Sequence, residues 1–210
     1  MIIFDLDGTL LDTVEDLAVA VNHALKKFGF KEKNIDEIKR LLGNGIAILV
    51  AGAIENGEKN PKFCEAYEEF KKYYSSHLYD YTKPYDGIIE LLEELKRKNI
   101  KMGIVSNKFD EGVKCLREEF FADLIEYAQG ISETVKRKPN PDAVFELIKL
   151  QKAQDEENIY VCDSEVDIET AKNAGLKCIC VSWGFRSREQ LIKSGAEVII
   201  DKPNELLGYI

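Results

Sequence analysis

The sequence predicts an α/β protein in which a doubly wound parallel sheet carries a small all-helical domain, inserted after its first strand. Three observations lead to this prediction. Short apolar runs that end in polar residues recur along the chain, amphipathic segments separate them, and residues 13–81 contain no convincing strand. Short, continuous apolar runs are typical of strands buried on both faces, and their alternation with helices is typical of a Rossmann-like parallel sheet.

The composition excludes several classes of protein. The 210 residues are 45% hydrophobic and 32% charged, which is too charged for a membrane protein and too apolar for a disordered one. The net charge of −9 argues against nucleic acid as a partner, and no apolar run approaches the ~20 residues of a membrane-spanning helix. The first residues lack the basic region of a signal peptide, and the five cysteines are scattered and odd in number. We therefore expect a cytoplasmic monomer or weak dimer without nucleic-acid or membrane partners.

Five apolar runs are the predicted strands, and amphipathic stripes between them are the predicted helices of the core. In open parallel sheets ligands bind at the carboxyl ends of the strands, so the polar residues that follow the runs stand where chemistry is expected. The strands are Ile2–Phe4 before Asp5, 101–105 before Ser106, 158–162 before Asp163, 178–181 before Ser182 and 196–200 before Asp201. The helical stripes cover 88–95, 143–148 and 168–174, the last before a C-cap at Gly175.

The insert is predicted to be entirely helical. Thr13 and Asp16 have the spacing of a capping box that opens its first helix. The first predicted helix ends at Lys27, and the others cover 35–42, 46–54 and 61–79. We interpret residues 14–82 as a helical cap, and residues 1–13 and 83–210 as the α/β catalytic core.

Two carboxylates stand two residues apart directly after the first strand. If the chain turns there, Asp5 and Asp7 face one pocket, where one can attack a substrate while the other moves protons. Gly8 permits such a turn. A calcium loop needs more oxygen ligands at regular spacing, whereas an ordinary acidic surface loop stays open as an alternative.

A hydroxyl and a lysine follow in the next segments. Ser106 and Asn107 come after the second predicted strand, where a hydroxyl and backbone amides can hold phosphate oxygens, although both residues are also ordinary helix N-caps. Lys136 and Lys138 precede a proline, and either can neutralise a phosphate. A solvated basic loop is the alternative for these two lysines.

An acidic pair follows the strand 158–162. Asp163 can supply a metal ligand at the strand end, since Mg²⁺ prefers one or two carboxylates plus water and substrate oxygens. Asp167 lies one helical turn further and can orient a metal-bound water or pair with the lysine. Glu165 is expected to face solvent.

The order of these elements resembles the four motifs of the haloacid dehalogenase superfamily of phosphatases. The matching residues are Asp5-Leu6-Asp7-Gly8-Thr9-Leu10, Ser106, Lys138-Pro139, and Asp163 with Asp167. Within the superfamily the chain is similar to the phosphoglycolate phosphatases, because a helical cap follows the first motif and residues 40–45 and 183–186 resemble that subgroup's cap loop and C-terminal end. Cys162 departs from the pattern, which usually has glycine there. We do not expect this residue to remove the metal site.

The resemblance implies a Mg²⁺-dependent phosphomonoesterase that hydrolyses a small metabolite phosphate, phosphoglycolate foremost, through an aspartyl-phosphate. It implies that Asp5 is the nucleophile and that Asp7 protonates the leaving group and then activates water. The implied metal ligands are Asp5, the backbone carbonyl of Asp7 and Asp163, with Asp167 behind them. The implied phosphate-binding residues are Ser106, Asn107 and Lys138, and the residues implied to select the leaving group are Arg40, Gly43, Asn44 and Gly45.

Other functions stay open at this point. A phosphosugar mutase resembling β-phosphoglucomutase or a pyrophosphatase can use the same scaffold. A response-regulator receiver also combines clustered aspartates, a hydroxyl and a lysine, but such domains are usually shorter and lack the insert. Cys178 and Cys180 share one face of a predicted strand, and without a second pair of ligands we interpret them as packing residues rather than a zinc site.

Overall fold

The computed structural model describes residues 1–210 and contains a six-stranded parallel sheet, which confirms the predicted fold class. The strands are β1 (Ile2–Phe4), β2 (Leu11–Asp12), β3 (Lys83–Pro84), β4 (Met102–Phe109), β5 (Tyr127–Ile131), β6 (Ile159–Cys162), β7 (Lys177–Val181) and β8 (Ile199–Ile200). The sheet has the order β5-β4-β1-β6-β7-β8, and β2 and β3 form a separate two-stranded sheet. The chain therefore builds outward from β1 to one side and then to the other, as a doubly wound sheet does.

Nine α-helices accompany the strands. They are α1 (Val14–Lys27), α2 (Ile35–Leu41), α3 (Ile46–Ala53), α4 (Phe63–Ser76), α5 (Ile88–Arg97), α6 (Asp110–Phe121), α7 (Asp142–Leu150), α8 (Glu165–Ala174) and α9 (Arg188–Lys193). Two 3-10 helices span Gly57–Lys59 and Pro203–Tyr209. Gly175 caps α8 in the left-handed conformation, as predicted. None of the helices combines the length and the apolar character that crossing a membrane requires.

The chain divides into two compact units. One comprises Met1–Asp12 and Pro84–Ile210, and the other comprises Thr13–Lys83. In the first unit the apolar sides of α7 and α8 bury residues of β1, β6 and β7 in a common core. In the second unit α1 packs against α4, whose buried residues are Ala66, Phe70 and Tyr74.

Within the six-stranded sheet the structure differs from the prediction at three strands. β4 continues to Phe109, so Ser106 and Asn107 lie within a strand rather than after it. β5 was not predicted, because this edge strand is mostly half-exposed and carries Gln129 and Gly130 instead of a continuous apolar run. β8 covers only Ile199 and Ile200, which is shorter than the apolar run that predicted it.

The predicted capping box at the start of α1 is wrong. The Thr13 side chain makes no capping hydrogen bond. The carboxylate of Asp16 instead accepts hydrogen bonds from the backbone N–H of Tyr81, at 3.1 and 3.2 Å, and from the N–H and hydroxyl of Thr82, at 2.8 and 2.6 Å. A carboxylate expected to serve its own helix therefore ties together the two ends of the helical unit.

Candidate active site

The register of the sheet brings the predicted site residues to one edge. β1 lies between β4 and β6, and Phe4 is aligned with Ile104 on one side and Val161 on the other. Asp5, Ser106 and Asp163 follow these aligned positions by one or two residues, and all three are buried. Three adjacent strands thus place a carboxylate, a hydroxyl and a second carboxylate at neighbouring positions of the sheet.

A tight turn after β1 passes directly over Asp163. The N–H groups of Leu10 and Leu11 both donate to the carbonyl of Leu6 at 3.0 Å, and Gly8 has a φ of +86°. A Cβ at Gly8 would collide with the carboxylate of Asp163, and a Cβ at Gly184 would meet both Asp163 and the carbonyl of Gly8. Glycine is needed at both positions because three backbone segments converge on one carboxyl group.

Lys138 is the central cation of the site. Its ammonium donates to Asp5 Oδ1 at 2.8 Å, to Asp167 Oδ1 at 2.6 Å and to the carbonyl of Val105 at 3.3 Å. Its side chain is 3% exposed. Burial lowers the pKa of Lys138, but the carboxylates of Asp167 and Asp5 outweigh it and hold the pKa above its usual value. The ammonium therefore stays charged, with all three of its hydrogens directed at oxygen atoms.

The structure distinguishes between the two lysines that the sequence left open. Lys136 is exposed, whereas Lys138 is buried against Asp5. Asn107 orients Lys138, because its Oδ1 accepts a hydrogen bond from the Lys138 N–H at 2.8 Å and its Nδ2 donates to the Lys138 carbonyl at 3.5 Å. The Asn107 side chain is thus engaged with the lysine loop, and the hydroxyl of Ser106 accepts a hydrogen bond from the Lys108 N–H at 3.2 Å.

Asp163 is held on two sides. Its Oδ2 accepts a hydrogen bond from the N–H of Phe185 at 2.6 Å, and its Oδ1 accepts one from the hydroxyl of Thr9 at 3.4 Å. Burial raises the pKa of Asp163 to about 7, against a lowering by the Phe185 N–H. Burial thus favours the protonated form of this carboxyl group more than water does.

Three carboxylates crowd together beside this single ammonium. One carboxylate oxygen from each of Asp5, Asp163 and Asp167 lies within 4.8 Å of the other two, and all three residues are buried. Burial and the negative charges of Asp167 and Asp163 raise the pKa of Asp5 well above its usual value, in spite of the contact with Lys138. Buried oxygen ligands with an excess of negative charge suit a hard divalent cation such as Mg²⁺.

Asp167 is held by three donors. Besides the ammonium, its carboxylate accepts hydrogen bonds from the hydroxyl of Tyr160 at 3.0 Å and from the hydroxyl of Ser164. Of the two roles predicted for Asp167, pairing with the lysine is the one that the structure shows. Tyr160 and Ser164 carried no motif signal, since a tyrosine within an apolar run is read as a core residue.

Lys108 follows Ser106 and Asn107 in the sequence, where it was given no role of its own, and the structure places it beside Asp7. Its ammonium lies 3.1 Å from Asp7 Oδ1, and its side chain is 2% exposed. The strand period could have indicated it, because Lys108 follows Ser106 by two residues and therefore shares its face of β4. The extension of β4 beyond Val105 was the missing information.

Glu165 is partly exposed to solvent, with 42% of its side chain accessible, in line with the prediction. It forms a two-pronged ion pair with Arg186, at 2.7 Å from Nε to Oε2 and 2.9 Å from Nη2 to Oε1. Arg186 is buried, and its charge is close enough to lower the pKa of Asp163. This pair joins the start of α8 to the segment after β7.

The predicted substrate-selecting residues lie in the helical unit. Arg40 is exposed on α2, and the connection from α2 to α3 contains Gly43, Asn44 and Gly45. Gly43 and Gly45 have φ values of +100° and +84°, so the loop needs glycine on either side of Asn44. The structure thus assigns the two glycines a conformational role in this connection.

Comparison with known proteins identifies the family of the chain. The sequence model of the haloacid dehalogenase-like hydrolases matches residues 2–181. The chain is 33% identical to the phosphoglycolate phosphatase of Aquifex aeolicus over 212 residues, which cover 99% of this chain and 94% of the relative. It is 31% identical to phosphoglycolate phosphatase 1 of Pseudomonas aeruginosa, with 99% of this chain and 78% of the relative covered.

A solved structure has the same fold over the whole chain. A crystal structure of a protein from Lactobacillus delbrueckii subsp. bulgaricus superimposes with a TM-score of 0.94 at 35% sequence identity, covering 100% of this chain and 97% of that one. The structure of CbbY from Rhodobacter sphaeroides in complex with phosphate, at 23% identity and a TM-score of 0.80, shares the fold.

Proposed function

The chain belongs to the haloacid dehalogenase-like hydrolases and is a phosphatase, and we propose that it is a Mg²⁺-dependent phosphomonoesterase of small metabolites. The observation that carries the proposal is the position of Asp5, a buried carboxylate at the end of the central strand with Lys138 on its Oδ1 and two further carboxylates beside it. A carboxylate in this position is suited to attack phosphorus and form an aspartyl-phosphate.

The chain supplies positive charge and donors for the phosphate. Lys138 stays protonated and touches the nucleophile, so its charge lies where a transferring phosphoryl group must come. The Ser106 hydroxyl lies on the neighbouring strand and is proposed to hold a second phosphate oxygen. Asn107 supports this arrangement by holding the backbone of Lys138, and it is proposed to belong to the phosphate-binding group with Ser106 and Lys138.

Asp7 is proposed as the general acid and base. It follows the nucleophile by two residues, on the turn, and its carboxylate is more exposed than that of Asp5 and paired with Lys108. This placement lets Asp7 give a proton to the leaving oxygen and later take one from the attacking water. Lys108 is proposed to hold the carboxylate in position for both transfers.

The carboxylate cluster is the proposed Mg²⁺ site. Asp5 and Asp163 would supply side-chain ligands, and the backbone carbonyl of Asp7 a third, while Asp167 stays engaged with Lys138. When bound, Mg²⁺ supplies positive charge that offsets the repulsion between a carboxylate nucleophile and a phosphate dianion. Burial, together with the neighbouring carboxylate charge, raises the pKa of Asp5 and of Asp163, and a bound cation would offset both effects.

The substrate is proposed to be a small phosphorylated carboxylic acid, phosphoglycolate foremost. Two relatives with this activity in their names match 99% of the chain at 31–33% identity. Residues 14–82 are proposed to act as the cap that excludes water, with Arg40 and the Gly43-Asn44-Gly45 loop selecting the leaving group.

Phosphate release from a panel of esters tests this proposal. The panel comprises phosphoglycolate, pyrophosphate, several hexose phosphates and nucleoside monophosphates, each with Mg²⁺, with EDTA, and with Mg²⁺ restored. We expect the highest kcat/KM for phosphoglycolate, no release with EDTA, and recovery with the metal. Release that is unaffected by EDTA would remove the Mg²⁺ proposal, and isomerisation of a hexose phosphate without net phosphate release would replace the esterase with a mutase.

A further inference from the structure

A cluster of three cysteines lies on one side of the sheet, outside the phosphatase site. Cys162 ends β6, and Cys178 and Cys180 lie on the adjacent strand β7. Cys162 is aligned with Cys180, and Cys178 is two residues earlier on the same strand, so all three side chains share one face. The sequence showed only the β7 pair, because nothing in it indicated that Cys162 would be their neighbour.

The three sulfur atoms converge on a common point. The Sγ of Cys162 lies 3.5 Å from that of Cys178 and 3.9 Å from that of Cys180, and all three sulfurs lie within 4.8 Å of one another. With metal–sulfur bonds of about 2.3 Å, three thiolates around one ion are about 4 Å apart. The sulfurs therefore stand close to the spacing of a three-thiolate metal site without rearrangement.

The same geometry disfavours a disulfide between the two cysteines whose sulfurs lie nearest. Disulfides need Cα atoms within about 7 Å, and residues two positions out of register on adjacent strands are about 8 Å apart. The pair with the nearer sulfurs, Cys162 and Cys178, is out of register in this way. The pair that is in register, Cys162 and Cys180, has its sulfurs further apart.

We infer that Cys162, Cys178 and Cys180 form a binding site for one soft, thiolate-preferring d¹⁰ metal ion, of the class of Cu(I), Zn(II) and Cd(II). Each thiol would release its proton to solvent as its sulfur binds the ion. Cys162 and Cys180 are fully buried among apolar side chains, while Cys178 is partly exposed and gives the ion its entry. Thiolates select soft ions and carboxylates select hard ones, so this site and the carboxylate cluster that includes the next residue, Asp163, would take different metals.

Titration of the reduced full-length protein with Cd²⁺, in the presence of excess Mg²⁺ and without oxygen, tests the inference. We expect one Cd²⁺ per chain, with an ultraviolet thiolate-to-metal charge-transfer band that carboxylate ligands cannot produce. Cys178→Ser should weaken Cd²⁺ binding by about 100-fold or more, since it removes one of three ligands. The matched control is Cys64→Ser with Cys115→Ser, which removes two exposed thiols outside the cluster and should leave the titration unchanged.

Two measurements keep the test independent of folding and of the phosphatase proposal. Circular dichroism and the thermal midpoint of metal-free Cys178→Ser should match those of the wild type. Equal Cd²⁺ affinity in wild type and Cys178→Ser, or loss of the band in the Cys64 and Cys115 variant, would overturn the inference. A disulfide in place of the metal would also overturn it. That outcome is a protein that shows no Cd²⁺ band and in which mild peroxide links Cys162 to a β7 cysteine, so that the number of free thiols falls from five to three.

Discussion

Each compact unit buries carboxylate charge, and the two units satisfy that charge differently. In the helical unit, Asp16 receives two backbone N–H groups and a hydroxyl, all from Tyr81 and Thr82. In the α/β unit, Asp5 and its two carboxylate neighbours crowd beside the ammonium of Lys138. The comparison shows that burial alone does not mark a reactive carboxylate. A reactive group is one whose local donors fall short of its charge, so that a cation or a substrate completes the site.

Of the two buried carboxylates, Asp5 should show the larger loss of activity when it is replaced by an amide. Asp5→Asn removes the proposed nucleophile, and we expect kcat to fall by about 10⁴-fold or more. It also removes one negative charge from an overcharged cluster, so the thermal midpoint without Mg²⁺ should be unchanged or higher. Steady-state kinetics and a thermal melt check both effects, and near-wild-type hydrolysis would refute the assignment of Asp5.

Lys138→Met tests whether the central ammonium serves the reaction. Loss of a buried cation aimed at the phosphate position should lower kcat/KM by about 100- to 1,000-fold. It should also destabilise the metal-free protein, because Asp5 and Asp167 lose their shared partner. The matched control is Lys136→Met, an exposed lysine two residues earlier, which should behave as the wild type. Equal losses in the two variants would mean that the loop, and not the Lys138 contact, matters.

How far the sequence predicted these regions depends on the distance over which each interaction acts. Motif order and apolar runs predicted the sheet and placed Asp5 and Asp163 at strand ends. This worked because an apolar run and the polar residue that ends it are neighbours in the sequence, and parallel strands all end at the same edge of the sheet. The role of Asp16 was mispredicted, because its partners lie 65 and 66 residues away and a capping box is the best local explanation of Thr13 and Asp16. Lys108 was given no role because the polar residues at the end of β4 gave no sign that the strand continues there.

Asp16→Asn should show the opposite behaviour to Asp5→Asn. The amide would present an N–H group to donors that already point at the oxygen, and the free energy of unfolding should fall by about 2–3 kcal/mol. For a chain of this length that corresponds to a decrease of roughly 6 °C in the thermal midpoint. We expect kcat of the folded enzyme to stay unchanged. A large loss of kcat at temperatures where the variant is fully folded would contradict the structural role assigned to Asp16.

Mg²⁺ affinity should depend on pH through the charge deficit of the α/β site. Burial raises the pKa of Asp163 to about 7, so the metal-free protein carries a proton there below pH 7 and Mg²⁺ must displace it. Loss of one proton on binding weakens the affinity about tenfold for each pH unit below 7 and leaves it constant above. Calorimetric titration with Mg²⁺ between about pH 5.5 and 8.5 measures this slope.

The proton on Asp163 also affects the stability of the folded protein, and this effect has the opposite dependence on pH to the Mg²⁺ affinity. Because the folded chain holds it more tightly than the unfolded chain, Asp163 stabilises the metal-free protein at low pH. That contribution is complete below the ordinary aspartate pKa of 3.8 and is lost as the pH rises through about 7. The stability difference between wild type and Asp163→Asn should therefore shift against the wild type over this range without Mg²⁺, and saturating Mg²⁺ should reverse it. A Mg²⁺ affinity that is constant from pH 5.5 to 8.5 would mean that Asp163 is already ionised, and the contrast with Asp16 would then rest on Asp5 alone.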